Sequence, residues 1–269
     1  MQSKYVFSIF TLFFQLCLIF MLLICKISIC PVRIEPSDKS EMITQLLFGE
    51  LCQLRDRKDN WFFISTIYDE YEGWIDAKQV TEISQNVNNQ HICFQLTHSC
   101  HQQDNHIPIV LGSSLPNFDG LNFKINKEKF IYNGKSLEIS EKNKTNIKKI
   151  ALKYLNAPYL WGGRSPFGID CSGLTQMVYK FLNIPLPRDA YQQAEMGEII
   201  NFTSEAKMGD LAFFGNEESI THVGIVLDNN KIIHAHGWVR IDILDHIGIF
   251  NVDTKKYSHK LKVIKRIFD

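Results

Sequence analysis

Residues 168–182 read GIDCSGLTQMVYKFL, and this stretch decides the fold. Leu174, Met177, Val178, Phe181 and Leu182 recur at helical spacing as one apolar stripe, so a helix is expected over Asp170–Leu182. Asp170 stands where a cap belongs, and Pro185 and Pro187 keep the helix from running on. Cys171 opens this helix. A thiol at that place faces the positive end of the macrodipole, which is expected to favour the thiolate. Gly163 and Gly168 just before it leave room for a substrate backbone to come close.

Upstream, Ile147, Ile150, Ala151, Tyr154 and Leu155 predict a helix over Asn146–Leu155, followed by a Pro/Gly-interrupted loop to Gly168. Downstream, a short polar helix near Ala190–Gly197 precedes four β-runs: Leu211–Phe214, His222–Leu227, Lys231–Ala235 and Val239–Ile243. Helices followed by antiparallel strands predict an α+β domain over residues 144–269.

His222 begins one of these strands and His234 lies in the next, across Asp228-Asn229-Asn230. A two-residue turn puts the imidazoles on opposite faces, whereas a three-residue turn makes them diagonal neighbours on one face. A catalytic pair therefore requires an odd-length turn. Given that, Cys171 attacks a carbonyl carbon, His222 handles the proton, and His234 holds the far nitrogen of His222. His236 shares the face of His234 and competes for the third place. The same histidines suggest a metal, but no Asp, Glu or Cys stands at ligand spacing beside His222, His234 and His236, and the thiol would go unused. No metal is expected.

The front of the chain has a different texture. Residues 26–80 are short strands and turns, with Trp61–Tyr68 the strongest β-run, and predict a small β-barrel. Residues 81–143 repeat the pattern around Asp119-Gly120 and Asn133-Gly134, predicting a second small barrel. Residues 1–25 stand apart. The uncharged apolar run Val6–Cys25 lies between Lys4 and Lys26, as in a signal-anchor or uncleaved secretory segment, so residues 5–25 are a membrane-anchoring candidate. On the alternative reading Met21 is the start, Ile24–Arg33 is the first strand, and the protein is cytoplasmic.

The 269 residues carry 29 Lys+Arg against 29 Asp+Glu, with 45% hydrophobic residues. That balance excludes wholesale disorder and a general nucleic-acid binder, which would need phosphate-neutralising charge. The seven cysteines are odd in number and contain no C-x-x-C pair, which argues against a zinc ribbon or a disulfide framework.

Five blocks then stand in order: Ala157-Pro158-Tyr159-Leu160-Trp161-Gly162-Gly163, Gly168–Leu174, Pro187-Arg188-Asp189-Ala190 with Gln193, Gly209-Asp210-Leu211 with Phe213-Phe214, and His222-Val223-Gly224-Ile225 with His234-Ala235. Together they resemble the NlpC-type bacterial cell-wall cysteine peptidases over about residues 145–250. Gln45–Glu50 and Tyr71-x-Gly73-Trp74 resemble the SH3-like barrel of γ-D-glutamyl-L-diamino-acid endopeptidases. The resemblance implies a papain-like domain preceded by two small SH3-like β-barrels, acting on a peptidoglycan stem peptide (L-Ala-γ-D-Glu-diamino acid) without metal or organic cofactor. It implies Cys171, His222 and His234 as nucleophile, base and orienter. Asp170 and Ser172 would contact the L-Ala-γ-D-Glu portion, and Glu50 and Tyr71 the free amine. Arg188 would meet the D-Glu α-carboxylate or pair with Asp189, while Ala190 departs from the Ser of some relatives. The apolar run, which the resemblance does not explain, makes the expected place the bacterial cell envelope, membrane-anchored or exported, unless Met21 is the start. Two rivals remain: a wall-binding module with a decayed site, and a thiol amidase or acyltransferase on the same fold.

Overall fold

The computed structural model describes residues 21–84 and 86–268. The chain divides between Ser136 and Leu137 into two units. The first opens with an antiparallel sheet of β1 (Leu22–Cys25), β2 (Ile29–Arg33), β3 (Met42–Leu47), β4 (Leu51–Lys58), β5 (Trp61–Thr66), β6 (Glu72–Asp76) and β7 (Val80–Glu82), in the order β3-β2-β6-β5-β4-β1-β7. Its core includes Leu23, Cys25, Cys30, Val32, Leu46 and Ile64.

Residues 22–25 are thus part of the sheet, where β1 pairs with β4 and β7. This corrects both a barrel starting at residue 26 and an anchor running to residue 25. The reason is burial on both faces. Leu23 and Cys25 point into the first core, while Ile24 packs into a second core with Phe48, Cys93, Phe123 and Phe130. A strand covered on both sides reads as an unbroken apolar run, much as a membrane segment does. The rest of the anchor candidate, up to residue 20, lies outside the described residues. No helix among the described residues is long and apolar enough to cross a membrane.

That second core belongs to β8 (His91–Cys93), β9 (Thr97–Gln102), β10 (Asn105–Val110), β11 (Ser114–Leu115), β12 (Asn122–Ile125) and β13 (Glu128–Ile131). Four of them form the sheet β10-β9-β13-β12, and β11 pairs with β8. A short strand, β14 (Ser136–Glu138), stands at the division between the units. All six cysteines among the described residues are buried.

The second unit has three short helices, α1 (Ile147–Ala151), α2 (Cys171–Lys180) and α3 (Ala190–Gln193), and a two-stranded ribbon, β15 (Arg164–Ser165) with β16 (Gly168–Ile169). The large sheet consists of β17 (Glu198–Ile200), β18 (Leu211–Gly215), β19 (Ile220–Leu227), β20 (Lys231–His236), β21 (Trp238–Leu244), β22 (Gly248–Asn251) and β23 (Lys256–Arg266). Its order is β17-β23-β18-β19-β20-β21-β22, and β22 also pairs with β23, so six strands close into a barrel. Phe214, Val226, Ile232, Leu244, Ile249 and Ile264 fill its core. α2 packs across β19 and β20. It is buried on every side rather than along one stripe. Its polar residues are accordingly bonded: Thr175 Oγ1 donates to Gln193 Oε1 (2.6 Å) and Gln176 Nε2 to the Leu186 carbonyl (3.1 Å).

Candidate active site

Cys171 is the first residue of α2 and only 8% exposed. Asp170 caps the helix, its Oδ1 accepting from Gly173 N–H (2.7 Å), while Oδ2 accepts from Gly162 N–H (2.8 Å). The Arg188 guanidinium closes on the same carboxylate in a fork, Nη1 to Oδ1 at 3.0 Å and Nη2 to Oδ2 at 2.5 Å. Nη1 also reaches Ser172 Oγ at 2.9 Å. A Cβ on Gly173 would stand 2.4 Å from the Gly163 carbonyl, so this glycine lets the loop close over the helix start. One buried ion pair therefore fixes where the thiol is presented.

The β19–β20 turn has three residues: Leu227 lies opposite Lys231, and Gly224 opposite His234. His234 is then diagonal to His222 on one face. Gly224 is required there, because a Cβ would come within 2.9 Å of the His234 Cβ. His222 Nε2 and His234 Nδ1 are 2.9 Å apart, and His234 Nε2 is 3.1 Å from Asp242 Oδ2. Asp242 is held by Arg240, through Nε to Oδ2 (2.7 Å) and Nη2 to Oδ1 (3.0 Å), and by Val252 N–H (3.0 Å).

This network assigns the tautomers. Asp242 only accepts, so His234 carries its proton on Nε2 and offers a lone pair at Nδ1. His222 then donates from Nε2, which leaves Nδ1 as its basic nitrogen. Burial would raise the Asp242 carboxyl, but bonds from His234, Arg240 and Val252 hold it well below the usual carboxylate range. Burial, with the neighbouring imidazoles, pushes His222 well below the ordinary histidine value. His234 is lowered too, burial outweighing the pull of Asp242.

The thiol departs from the sequence-based expectation. Burial, then the Asp170 charge, pushes Cys171 up to about 12, against backbone N–H groups of Val223 and Ser172 and the Arg188 charge. The helix end that should favour a thiolate is buried beside a carboxylate, and those effects outweigh the dipole. Both groups are thus held neutral, with the thiol bonded to the backbone N–H of Val223, next in the chain to His222.

Residues 156–263 match the NlpC/P60 family, and residues 32–80 match the bacterial dipeptidyl-peptidase Sh3 domain. The second unit carries an NlpC/P60 domain. The chain is 29% identical to the γ-D-glutamyl-L-lysine dipeptidyl-peptidase of Bacillus subtilis, covering 84% of this chain and 81% of that one. It is 27% identical to dipeptidyl-peptidase 6 of Lysinibacillus sphaericus, covering 75% and 82%. Its fold is similar to that of an NlpC/P60 family protein from Bacillus cereus, with TM-score 0.75, 20% identity and coverage of 91% and 99%. The chain is a cysteine-type peptidase.

Within the NlpC/P60 domain, the other expected site residues are distributed as follows. His236 is exposed, and its ring centroid is 6.5 Å from that of His222, so His234 is the one that bonds His222. Arg188 closes its fork on Asp170, whose buried charge demands a cation; Asp189 instead stands at the N-cap of α3, its N–H donating to Gln192 Oε1 (3.2 Å). Asp170 accepts four bonds from Gly162, Gly173 and Arg188, which makes it a clamp. Glu50 and Tyr71 belong to the first unit. Glu50 is buried between β3 and β4 and accepts from Leu47 N–H (2.8 Å), and Tyr71 is half-buried ahead of β6.

Three residues escaped the sequence reading: Arg240, Asp242 and His259. The first two left a signal, opposite charges two apart on a strand and so on one face. His259 comes from β23, which was not foreseen. Its ring stacks on His222, centroids 4.1 Å apart and planes 20° apart, and its Nδ1 lies 2.9 Å from Ser258 Oγ.

Proposed function

We propose that this protein is a peptidoglycan hydrolase that cleaves the bond between γ-D-glutamate and the diamino acid of stem peptides, preferring those with a free N-terminal L-Ala. The reading rests on one observation: a His222–His234–Asp242 relay that ends on a basic nitrogen beside a thiol at a helix start. The Sh3 match over residues 32–80 and the dipeptidyl-peptidase names of the relatives support the choice of bond.

In this reading Cys171 passes its proton to His222 Nδ1 as sulfur attacks the γ-glutamyl carbonyl carbon. Backbone N–H groups at the start of α2 receive the oxyanion. His222 gives the proton to the departing amine of the diamino acid, leaving a thioester. It then deprotonates the water that releases the acyl fragment and returns a proton to the thiol. His234 and Asp242 hold the tautomer throughout. Ser172 lies against the acyl portion, with Asp170 and Arg188 fixing its position and Asp189 holding α3 beside it. Glu50 and Tyr71 supply the carboxylate and phenol that read the free ammonium. The apolar run from Val6 supports a place at the bacterial cell envelope, which cell fractionation tests against a start at Met21.

The test is mass spectrometry of the protein with L-Ala-γ-D-Glu-diamino acid and its N-acetylated form, with Cys171→Ala as control. Release of L-Ala-D-Glu from the free-amine peptide alone is expected. Cleavage by Cys171→Ala, or of neither peptide by folded wild type, overturns the reading, the latter in favour of an amidase or acyltransferase substrate.

A further inference from the structure

The barrel closure sets a third imidazole against the relay. β23 pairs with β18, β18 with β19, and His259 reaches past Phe214 to stack on His222. Ligand nitrogens of His222, His234 and His259 all lie within 4.8 Å of one another. We propose that these three histidines form a binding site for a zinc ion, which holds the NlpC/P60 domain inactive until the metal is removed.

The donor set suits the ion. Three neutral imidazoles with a fourth position left for water is a recurrent zinc arrangement, with Zn–N distances of about 2.0–2.1 Å. Such distances place the nitrogens roughly 3.4 Å apart around a tetrahedral ion. The present spread closes onto that value by small side-chain shifts, with the His222–His234 pair opening slightly from 2.9 Å. The supporting shell is already in place. His234 donates Nε2–H to Asp242, which frees Nδ1 as a ligand and repeats the carboxylate–histidine–metal arrangement. His259 Nδ1 is turned to Ser258 Oγ, which leaves Nε2 for the ion. The sequence pattern offers His236 as the third imidazole; β23 supplies His259 instead.

The effect on chemistry follows from the proton on His222. A metal between His222 Nε2 and His234 Nδ1 displaces the proton that lies there. In neutral His222 that proton moves to Nδ1, the nitrogen that acts as base in the proposed reaction, so no proton is gained or lost. The base is thereby capped on its working side, and the ion need not touch sulfur. Binding itself does not depend on the peptidase reading; only the loss of turnover does.

The experiment is calorimetric titration of ZnCl2 into Cys171→Ala protein in a non-chelating buffer, beside the same protein with His259→Phe. Phenylalanine keeps a ring stacked on His222 and removes the nitrogen. One equivalent is expected to bind, and the substitution to weaken it by about 100-fold, since loss of a ligand costs at least as much as loss of an outer-shell partner. Far-UV circular dichroism checks that both proteins are folded, with His259→Gln standing in if the phenylalanine variant is not. Absence of binding, or equal affinity in both proteins, overturns the site. In turnover assays, zinc is expected to inhibit wild type reversibly and to spare His259→Phe. Equal inhibition of both would mean that zinc acts through the thiol alone and overturns the proposed effect.

Discussion

Asp242 illustrates how much one carboxylate controls. Asp242→Ala leaves His234 Nε2–H without its acceptor and Arg240 with Asp253 alone, at a cost of about 1–3 kcal/mol in stability. It also frees the His234 tautomer, and turnover is expected to fall by about 10²-fold or more, the lower range for a lost acid–base function. Asp242→Asn, which can still accept from His234, should recover part of the rate; equal rates in both variants would show that the relay ends at His234. Protonation gives a second prediction. His222, His234 and His259 all titrate below their ordinary value, His259 at about 4. A depressed folded value means that the unfolded chain binds protons first. The stability these groups contribute is complete above about pH 6.5 and drains away as pH falls towards 4. Cys171 and Cys100, both raised to about 12, act in the other direction, and stability declines as pH rises above about 8.5. Urea midpoints across pH should form a plateau between those limits; a midpoint still rising below pH 6 would contradict the buried neutral cluster. Cys171, His222 and His234 were legible because short local patterns and one turn length bring them together. Asp242 and His259 depend on pairings that single-strand patterns do not show.

The elements divide by how their burial is distributed. β20 and the start of α2 carry motifs and were readable, but β23 was not. Its eleven residues include Lys256, Lys260, Lys262, Lys265 and Arg266, a pattern that reads as solvated chain. It is nonetheless the strand that closes the barrel, through backbone pairing to β17, β18 and β22. β1 failed in the opposite sense, being too apolar for a strand covered on one face. At the start of α2, the Arg188–Asp170 pair lies 2% and 7% exposed. Arg188→Met removes one partner of a buried pair and is expected to cost about 3–5 kcal/mol. Denaturant unfolding of the second unit, followed through Trp161 and Trp238, would show it. In β19, Gly224→Val drives a side chain into Ile232 and His234. A loss of about 1–3 kcal/mol is expected, with turnover falling further than stability alone explains.

At the scale of the molecule, the first unit has two cores that share strands. Ile24 and Phe48 come from the first sheet yet pack with Phe123 and Phe130, Phe48 lying 5.9 and 6.0 Å from the two rings. Phe48→Ala should therefore destabilise both halves of the first unit together, by about 3–5 kcal/mol. Fluorescence of Trp61 and Trp74 and proteolysis within residues 91–131 should report the same midpoint shift. Separate midpoints would show that the halves unfold independently. The distribution of sulfur has a further consequence. Among the described residues, Cys25, Cys30, Cys52, Cys93 and Cys100 lie in the two cores of the first unit, and these five thiols are out of reach once the chain has folded. An unfolded chain offers those thiols to one another and to any oxidant, and wrong cross-links formed then would lock the cores open. Biogenesis of this protein is therefore a race between collapse and oxidation, which the chain wins only where reductant is present or folding is fast.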